Sequence, residues 1–498
     1  MDKVQSGTAE ESAAGTEASA EEKTESTKEE SSETTESTEA EDIDIDINVE
    51  DLFSDRDREG TYDESDAAYI TLNGSSASCD SNAVEISGST VTITGEGVYI
   101  LSGTLDDGMI IVNATKDEKV QLVLSGASIN SETSAAIYVL QADKVFLTLA
   151  ENTENALSNG GAFEAIDEND IDAVIFSKDD LTMNGAGSLT VTSPAGHGVV
   201  SKDELTITGG VYTVDSASHG LCGKDSVCTT GVVMNITSGK DGIHSENNDD
   251  TSLGFVYVES GEYTIAAEGD GISAAAYMQI DGGVFDIVSG GGSVNAEKQT
   301  SDSWGMGGGM MQPGGKGGRT MTITTVSTTD TTTTEDSTSI KGVKCSGNLV
   351  INDGTYTIDS ADDALHSNGA LTVNGGVFTI KTGDDGFHAD AAMTMNTGTI
   401  DISECYEGLE GISVAVNGGE ISIVADDDGL NAAGGTDASG FGGMRGGDMF
   451  ASNPDSFINI TGGTLYIEAS GDGVDSNGSL EISGGDVTIS GPTVGDTA

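Results

Sequence analysis

The chain has 498 residues, 85 of them Asp or Glu against 19 Lys or Arg, and a formal net charge of −66. A field of that sign and size repels polyanions, which excludes nucleic acid and anionic membrane surfaces as partners. Abundant glycine (70) with scarce proline (4) suits an all-β chain that turns often, and a chain built of repeats is not divided by average domain length.

In chain order, residues 1–66 form a Ser/Thr/Glu stretch almost without large apolar side chains. Such a segment cannot bury enough surface to fold, so it is predicted to be a disordered, self-repelling tether. No transmembrane run or secretory signal is visible in the sequence. An acidic tether ahead of an acidic body nonetheless fits a secreted or cell-surface protein, and an extracellular location is expected. Residues 67–175 are strand-rich but less regular, as in Val91-Thr-Ile-Thr-Gly and Val120-Gln-Leu-Val-Leu, and read as N-terminal coils and cap.

A repeat of about 22 residues then takes over, with equivalent positions at Leu205, Val227, Val256, Met278, Leu349, Leu371, Met393, Val414, Ile458 and Leu480. In the segment from Leu371, apolar residues fall at Leu371, Val373, Phe378, Ile380 and Phe387; from Leu349 they fall at Leu349, Ile351, Tyr356, Ile358 and Leu365. Pairs spaced by two mark strands with one buried face. Three such strands per repeat, broken by Gly-Gly and Asp-Gly, describe one coil of a parallel β-helix. Coils of 21–22 residues, rather than the hexapeptide phasing of about 18, predict the right-handed form. Residues 67–498 are thus expected to be one parallel β-helix domain. Two Gly/Met-rich insertions, at about 293–338 (holding Trp304) and 434–455, lack the period and are predicted to loop out. The repeat stops near Gly491-Pro492-Thr493, before a coil completes, so that end is expected to need cover.

Equal offsets stack at the strand spacing of about 4.8 Å, turning each repeated position into a ladder. Tyr212, Tyr263, Phe285, Tyr356 and Phe378 are followed two residues later by Val or Ile, which points them inward as a structural row rather than a sugar-stacking platform. Asn352, Asn374, Asn396 and Asn417 read as a structural amide ladder. Lys178, Lys202 and Lys224, each followed by Asp, read as a solvated, charge-balanced row, the alternative being a grip on uronate carboxylates. Cys79, Cys222, Cys228, Cys345 and Cys405 show no metal-knuckle spacing and read as small residues in or beside coils.

The acidic ladder carries the most chemistry. Asp241, Asp270, Asp363, Asp385, Glu407, Asp428 and Asp472 precede Gly, or Ala364 in one case; three residues on lie His244, Ser273, His366, His388, Glu410, Asn431 and Asp475. Asp362, Asp384, Asp426 and Asp427 flank them. Stacked carboxylates repel and need compensation. Many hard oxygens with few basic neighbours point to Ca²⁺, which accepts six to eight oxygen ligands. Asp-Gly as a mere turn dipeptide is the plain alternative. Zinc is disfavoured because Ser, Asn and acids dilute the histidines.

The runs Asp384-Asp385-Gly386-Phe387-His388-Ala389, Tyr406-Glu407-Gly408-Leu409-Glu410-Gly411, Asp427-Asp428-Gly429-Leu430-Asn431-Ala432-Ala433 and Gly471-Asp472-Gly473-Val474-Asp475-Ser476-Asn477-Gly478 occur in order. With Ser177-Lys178-Asp179-Asp180-Leu181 and Ser201-Lys202-Asp203-Glu204-Leu205, the sequence resembles the calcium-containing β-helix carbohydrate-binding domain proteins of clostridial cell surfaces, whose fold is pectate-lyase-like. The resemblance implies a right-handed parallel β-helix, bound Ca²⁺, and binding of plant-wall polysaccharide such as pectic acid or cellulose. It implies calcium ligands at Asp362, Asp363, Asp384, Asp385, Glu407, Glu410, Asp427, Asp428, Asn431, Asp472 and Asp475. The pattern departs at Asp363-Ala364 and at Lys341-Gly342, where a base replaces an acid.

Two enzyme readings compete with a binder. A uronate lyase needs a base beside Ca²⁺. The arginines are Arg56 and Arg58 in the tether region and Arg319 and Arg445 in the insertions, so none sits on a coil; Lys381 is the best lysine candidate. A pectin hydrolase needs paired acids plus a basic subsite: Asp384-Asp385 and His197-Gly198 match, but no Arg-x-Lys partner accompanies them. A structural adhesin or spacer is the third reading. The expectation is a non-catalytic, monomeric, calcium-dependent binder, with pectic acid preferred to cellulose because aromatics are few and turned inward.

Overall fold

In Thr355–Ser360 the side chains alternate outward and inward, with Tyr356, Ile358 and Ser360 buried, and Val377–Thr382 repeats the pattern with Phe378, Ile380 and Thr382. Period-two alternation of this kind holds only if the buried side faces apolar neighbours in the next coil. The computed structural model describes residues 49–250, 252–296, 339–432 and 453–492. Their regular structure is nearly all strand, joined in a single, mostly parallel sheet. One coil comprises Val343–Cys345, Leu349–Ile351 and Thr355–Ser360; the next comprises Leu365–Ser367, Leu371–Val373 and Val377–Thr382. Each strand pairs in parallel with its equivalent, as in Leu349↔Leu371, Tyr356↔Phe378 and Val343↔Leu365, a step of 22 residues. The chain is an all-β solenoid. Antiparallel pairs, Thr71↔Ser78 and Val84↔Ile93, occur in the irregular N-terminal part.

Three rows fix this stack. Inside, Tyr263, Phe285, Tyr356 and Phe378 stack with centroids 4.8, 4.8 and 4.6 Å apart and planes within 5°. Strand spacing imposes that parallel geometry, and each pair adds about 0.5–1.5 kcal/mol beyond area burial. Tyr212 is buried but stands one step outside the stack, because Met234 lies between it and Tyr263. At a turn, Asn374, Asn396 and Asn417 each donate Nδ2 to the preceding Oδ1 at 2.8, 2.7 and 2.9 Å. Asn352 starts the chain on Asp281, and Thr461 Oγ1 closes it on Asn417.

The third row is glycine. A Cβ on Gly220, Gly242, Gly271, Gly386 or Gly429 would lie 2.5–2.7 Å from the carbonyl oxygen of the equivalent glycine one coil on. Gly408 is tighter still, at 2.3 Å from Gly429 O. None of these six is among the residues with positive φ. Gly therefore follows the acids because the coils touch there, not because a left-handed turn is needed.

The tether boundary shifts. Residues 1–48 lie outside the described residues, but from Val49 onward the chain packs on the solenoid. Asp55–Glu59 form a short helix with a Ser54–Asp57 capping box. Asp57 is buried, 2.9 Å from Lys144 Nζ and 2.6 Å from Thr182 Oγ1. Arg56 lies over Phe146, Arg58 forks onto Glu259, and Phe53 joins Cys228, Phe255 and Tyr257. Polar composition concealed this docking, since its anchors are one aromatic and a few paired charges. Most of both insertions (297–338 and 433–452) lies outside the described residues. Strand pairing spans them, with Ser273↔Lys344 and Ala425↔Ala469. In the last described coil Leu480, Ile482 and Ile489 are 43–50% exposed. Among the described residues no helix is long and apolar enough to cross a membrane.

Substituting Gly386→Ala would place Cβ 2.6 Å from Gly408 O and 2.5 Å from Ile402 Cδ1. Overpacking of this kind is expected to cost about 1–3 kcal/mol, read as a lowered urea midpoint; an unchanged midpoint contradicts the coil-contact reading.

Candidate functional site

The acid row lies where the coils touch, and each member is held by the backbone of its neighbours. Gly220, Gly242, Gly386, Gly408 and Gly429 donate their N–H to the carbonyls of Asp241, Asp270, Glu407, Asp428 and Asp472 at 2.9–3.0 Å. The side chains point along the same axis. Asp241 Oδ1 accepts the N–H of Asp270, Asp270 Oδ1 that of Lys341, Asp363 Oδ1 that of Asp385, Asp385 Oδ1 that of Glu407, and Asp428 Oδ1 that of Asp472, at 2.6–3.1 Å. One carboxylate oxygen thus closes a backbone amide between coils, and in Asp241, Asp363 and Asp385 the other meets the histidine three residues along. The turn-dipeptide alternative does not account for this.

The row is longer and more mixed than its acids suggest. Pairing of Val199 with Leu221 and of Leu221 with Ile243 puts His197, His219 and Asp241 at one offset, each before a glycine. Sequence reading took His197-Gly198 only as a hydrolase fragment and missed that His-Gly at the same offset was the signal. Lys341 occupies the row between Asp270 and Asp363, and Lys344 pairs with Ser273 and His366 in the second row. Lys381, the lysine-base candidate, stands exposed on its strand opposite Asp359.

In the middle of the row the protein supplies its own cations. Lys341 Nζ lies 3.0 Å from Asp362 Oδ2 and 2.7 Å from Asp363 Oδ2, with His366 Nδ1 2.8 Å from the same Asp363 oxygen. Burial opposes ionisation of Asp363, but Lys341 and His366 outweigh it and hold the carboxyl far below the carboxylate range. One coil on, fully buried His388 meets Asp385 (3.2 Å) and Glu410 (2.8 Å) through Nδ1 and Asp390 (3.3 Å) through Nε2. Burial alone would neutralise that ring; the three carboxylates reverse the effect and keep it an imidazolium. Asp385 is itself pushed well up by burial and by Glu410.

Toward the C-terminal end of the described row, oxygen-bearing side chains dominate. Asn431, 6% exposed, donates Nδ2 to Glu407 Oε2 at 2.7 Å. A carboxylate can only accept, which fixes the amide orientation and leaves buried Oδ1 without a hydrogen-bond partner. Asp428 is pushed up to about 7 by burial and by Asp427, Asp475 and Asp472, despite the Asp472 N–H. Asp475 is raised by burial, then by Asp472.

Of the eleven expected ligands, the structure brings Asp362, Asp363 and Asp384 within ligand reach of one another, and likewise Asp385 and Glu410 around His388. It pairs Glu407 with Asn431 directly and sets Asp428 on the amide of Asp472. Asp427 and Asp428 both flank Gly471. Glu407, Asp427, Asp428, Asn431, Asp472 and Asp475 do not converge as one tight triad among the described residues.

The lysine row differs from its expected form. Lys202 pairs across coils with Glu246 at 3.1 Å rather than with Asp203. Burial, then Asp180 and Asp225, push Asp203 up to about 6. All five cysteines are free, four of them buried.

A family model described as carbohydrate-binding domain-containing protein matches residues 87–386 and 385–496. A carbohydrate-binding domain-containing protein of Acetivibrio thermocellus is 37% identical over 150 residues, 30% of this chain and 52% of that protein. The chain therefore spans about half the length of that curated relative. Among solved structures, the gadolinium derivative of the polysaccharide lyase-like protein from C. thermocellum shares 35% identity, covering 44% of this chain and 90% of its own, with a TM-score of 0.43.

One outcome follows from the acid row and one from the lysine row. Replacing Lys341 with Met removes the ammonium shared by Asp362 and Asp363, and loss of one partner of a buried ion pair is expected to cost about 3–5 kcal/mol, measured by denaturant unfolding at pH 7. Because the folded-state value of Asp203 stands above its ordinary one, ionising it works against folding, so its contribution to stability falls as pH rises from about 4 to about 6. The melting-temperature advantage of Asp203→Asn over wild type should grow across that interval; a flat difference argues against a raised value.

Proposed function

The chain belongs to the carbohydrate-binding domain-containing protein family, and from that premise we propose that it is a non-catalytic, calcium-dependent binder of plant-wall polysaccharide. In this reading the solenoid is a right-handed parallel β-helix with 22-residue coils, tethered outside the cell by its N-terminal segment. Pectic acid is the preferred ligand, with cellulose second.

The observation that carries the calcium reading is Asn431 Oδ1, a buried neutral oxygen left without a hydrogen bond beside Glu407. Glu410 and Asp475 share its row in the neighbouring coils, with Asp427, Asp428 and Asp472 alongside. Hard carboxylate and amide oxygens of this kind fit Ca²⁺. We assign calcium binding to this stretch of the row, with Glu407, Glu410, Asp427, Asp428, Asn431, Asp472 and Asp475 as its oxygen donors. At Asp362, Asp363 and Asp385, Lys341 and His388 supply positive charge in its place. Bound calcium would offset mutual repulsion among the acids and give an acidic protein a positive contact for uronate carboxylates. The scarcity of arginine and the burial of His388 favour binding over lyase chemistry.

Electrophoresis through gels containing polygalacturonate or a soluble β-glucan, with calcium and then with EDTA, tests the proposal. Retardation by polygalacturonate that vanishes with EDTA is expected, with no rise in absorbance from unsaturated product. Absence of retardation in every gel would sink the binding claim. Calcium is also expected to raise the melting temperature, and Asn431→Leu to weaken calcium at least about tenfold; equal calcium responses in both proteins would remove Asn431 from the site.

A further inference from the structure

All five histidines of the chain lie in two stacks: His197, His219 and His244, with centroids 5.1 and 4.6 Å apart, and His366 with His388, 4.7 Å apart. The second stack is spoken for, since Lys341 and three carboxylates keep its surroundings charged and both nitrogens of His388 engaged. The first is different. His244 Nδ1 lies 2.9 Å from Asp241 Oδ2, yet it is buried and out of hydrogen-bond alignment. His219 Nδ1 lies 3.4 Å from the same oxygen and accepts the Asp241 N–H at a long 3.2 Å, which makes that nitrogen an unprotonated base. One donor atom from each of His219, Asp241 and His244 lies within 4.8 Å of the other two.

We propose that His219, Asp241 and His244 form a site for a borderline divalent transition metal such as Zn²⁺. Two imidazoles and one carboxylate are the donor set such ions prefer, whereas Ca²⁺ prefers oxygen alone. Tetrahedral zinc with ordinary bond lengths separates its donors by about 3.3 Å, and the two separations here bracket that value. Asp241 is prepared as a single-oxygen ligand, because Oδ1 is already held by the N–H of Asp270. Metal would take the His219 lone pair from its weak amide contact. Three protein ligands leave one position for water or for an oxygen of a bound molecule. Buried Cys222 stands beside His244 in the second row, and its sulfur is not among the three donors that converge. The row thereby changes donor chemistry along its length, from imidazole to oxygen, and the expected dilution of histidine among acids is a segregation instead.

Titration of the full chain with Co²⁺ tests this. Visible absorption bands at one ion per chain, removed by Zn²⁺ but not by excess Ca²⁺, are expected. His219→Gln and His244→Gln should each weaken the ion at least tenfold, while a Glu407→Gln, Asp428→Asn variant keeps it. No bands in wild type, unchanged affinity in both histidine variants, or displacement by Ca²⁺ overturns the proposal. Should the histidine variants fail to fold, anomalous diffraction at the zinc edge from wild-type crystals decides: a peak among the three residues supports the site, and a peak elsewhere or none overturns it.

Discussion

Parallel pairing sets equivalent residues about 4.8 Å apart, and any side chain repeated in the sequence must then live beside its own copies. For apolar and amide groups this is an advantage: rings stack from Tyr263 to Phe378, and amides pass hydrogen bonds from Asn352 to Asn417. For charge it is a hardship. Two like charges 5 Å apart at an effective dielectric of 20 repel by about 3 kcal/mol, so a row of ionised acids needs something between its members. The chain answers differently along its length, with imidazoles near Asp241, an ammonium at Lys341, an imidazolium at His388 and oxygen-rich coils from Glu407 onward.

Backbone and charge are handled by the same atoms. A carboxylate that accepts an amide from the next coil is fixed in direction, and at Asp241, Asp363 and Asp385 its second oxygen meets the histidine three residues on. Glycine at the following position lets the coils close to the distance at which that bond forms. Steric contact, hydrogen bonding and electrostatics therefore select the same dipeptide, which explains why Asp-Gly recurs where no left-handed backbone demands it.

Much of this was legible in the sequence because a solenoid repeats its instructions. Offsets of the apolar pairs gave the strands, their registers and the inward aromatic row, and the Asn positions gave the amide ladder. What escaped was written once or in mixed letters. Residues 49–66 dock through Phe53, Asp57 and two arginines, too few contacts to alter a polar composition. The histidines at 197 and 219 continue the acid row with a different residue type, so a search for acids passed over them. Lys341 was seen as a departure from the pattern, yet its role as a partner of Asp362 and Asp363 needed the fold.

Strand pairing resumes across the insertions in the register it had before them, with Ser273 beside Lys344 and Ala425 beside Ala469. The stack thus counts positions in space and is indifferent to how much chain is spent between them. Segments of very different length and composition could be exchanged at those two places during descent while the scaffold kept its shape. Added chain at those two places is compatible with the pairing on either side, whatever its length.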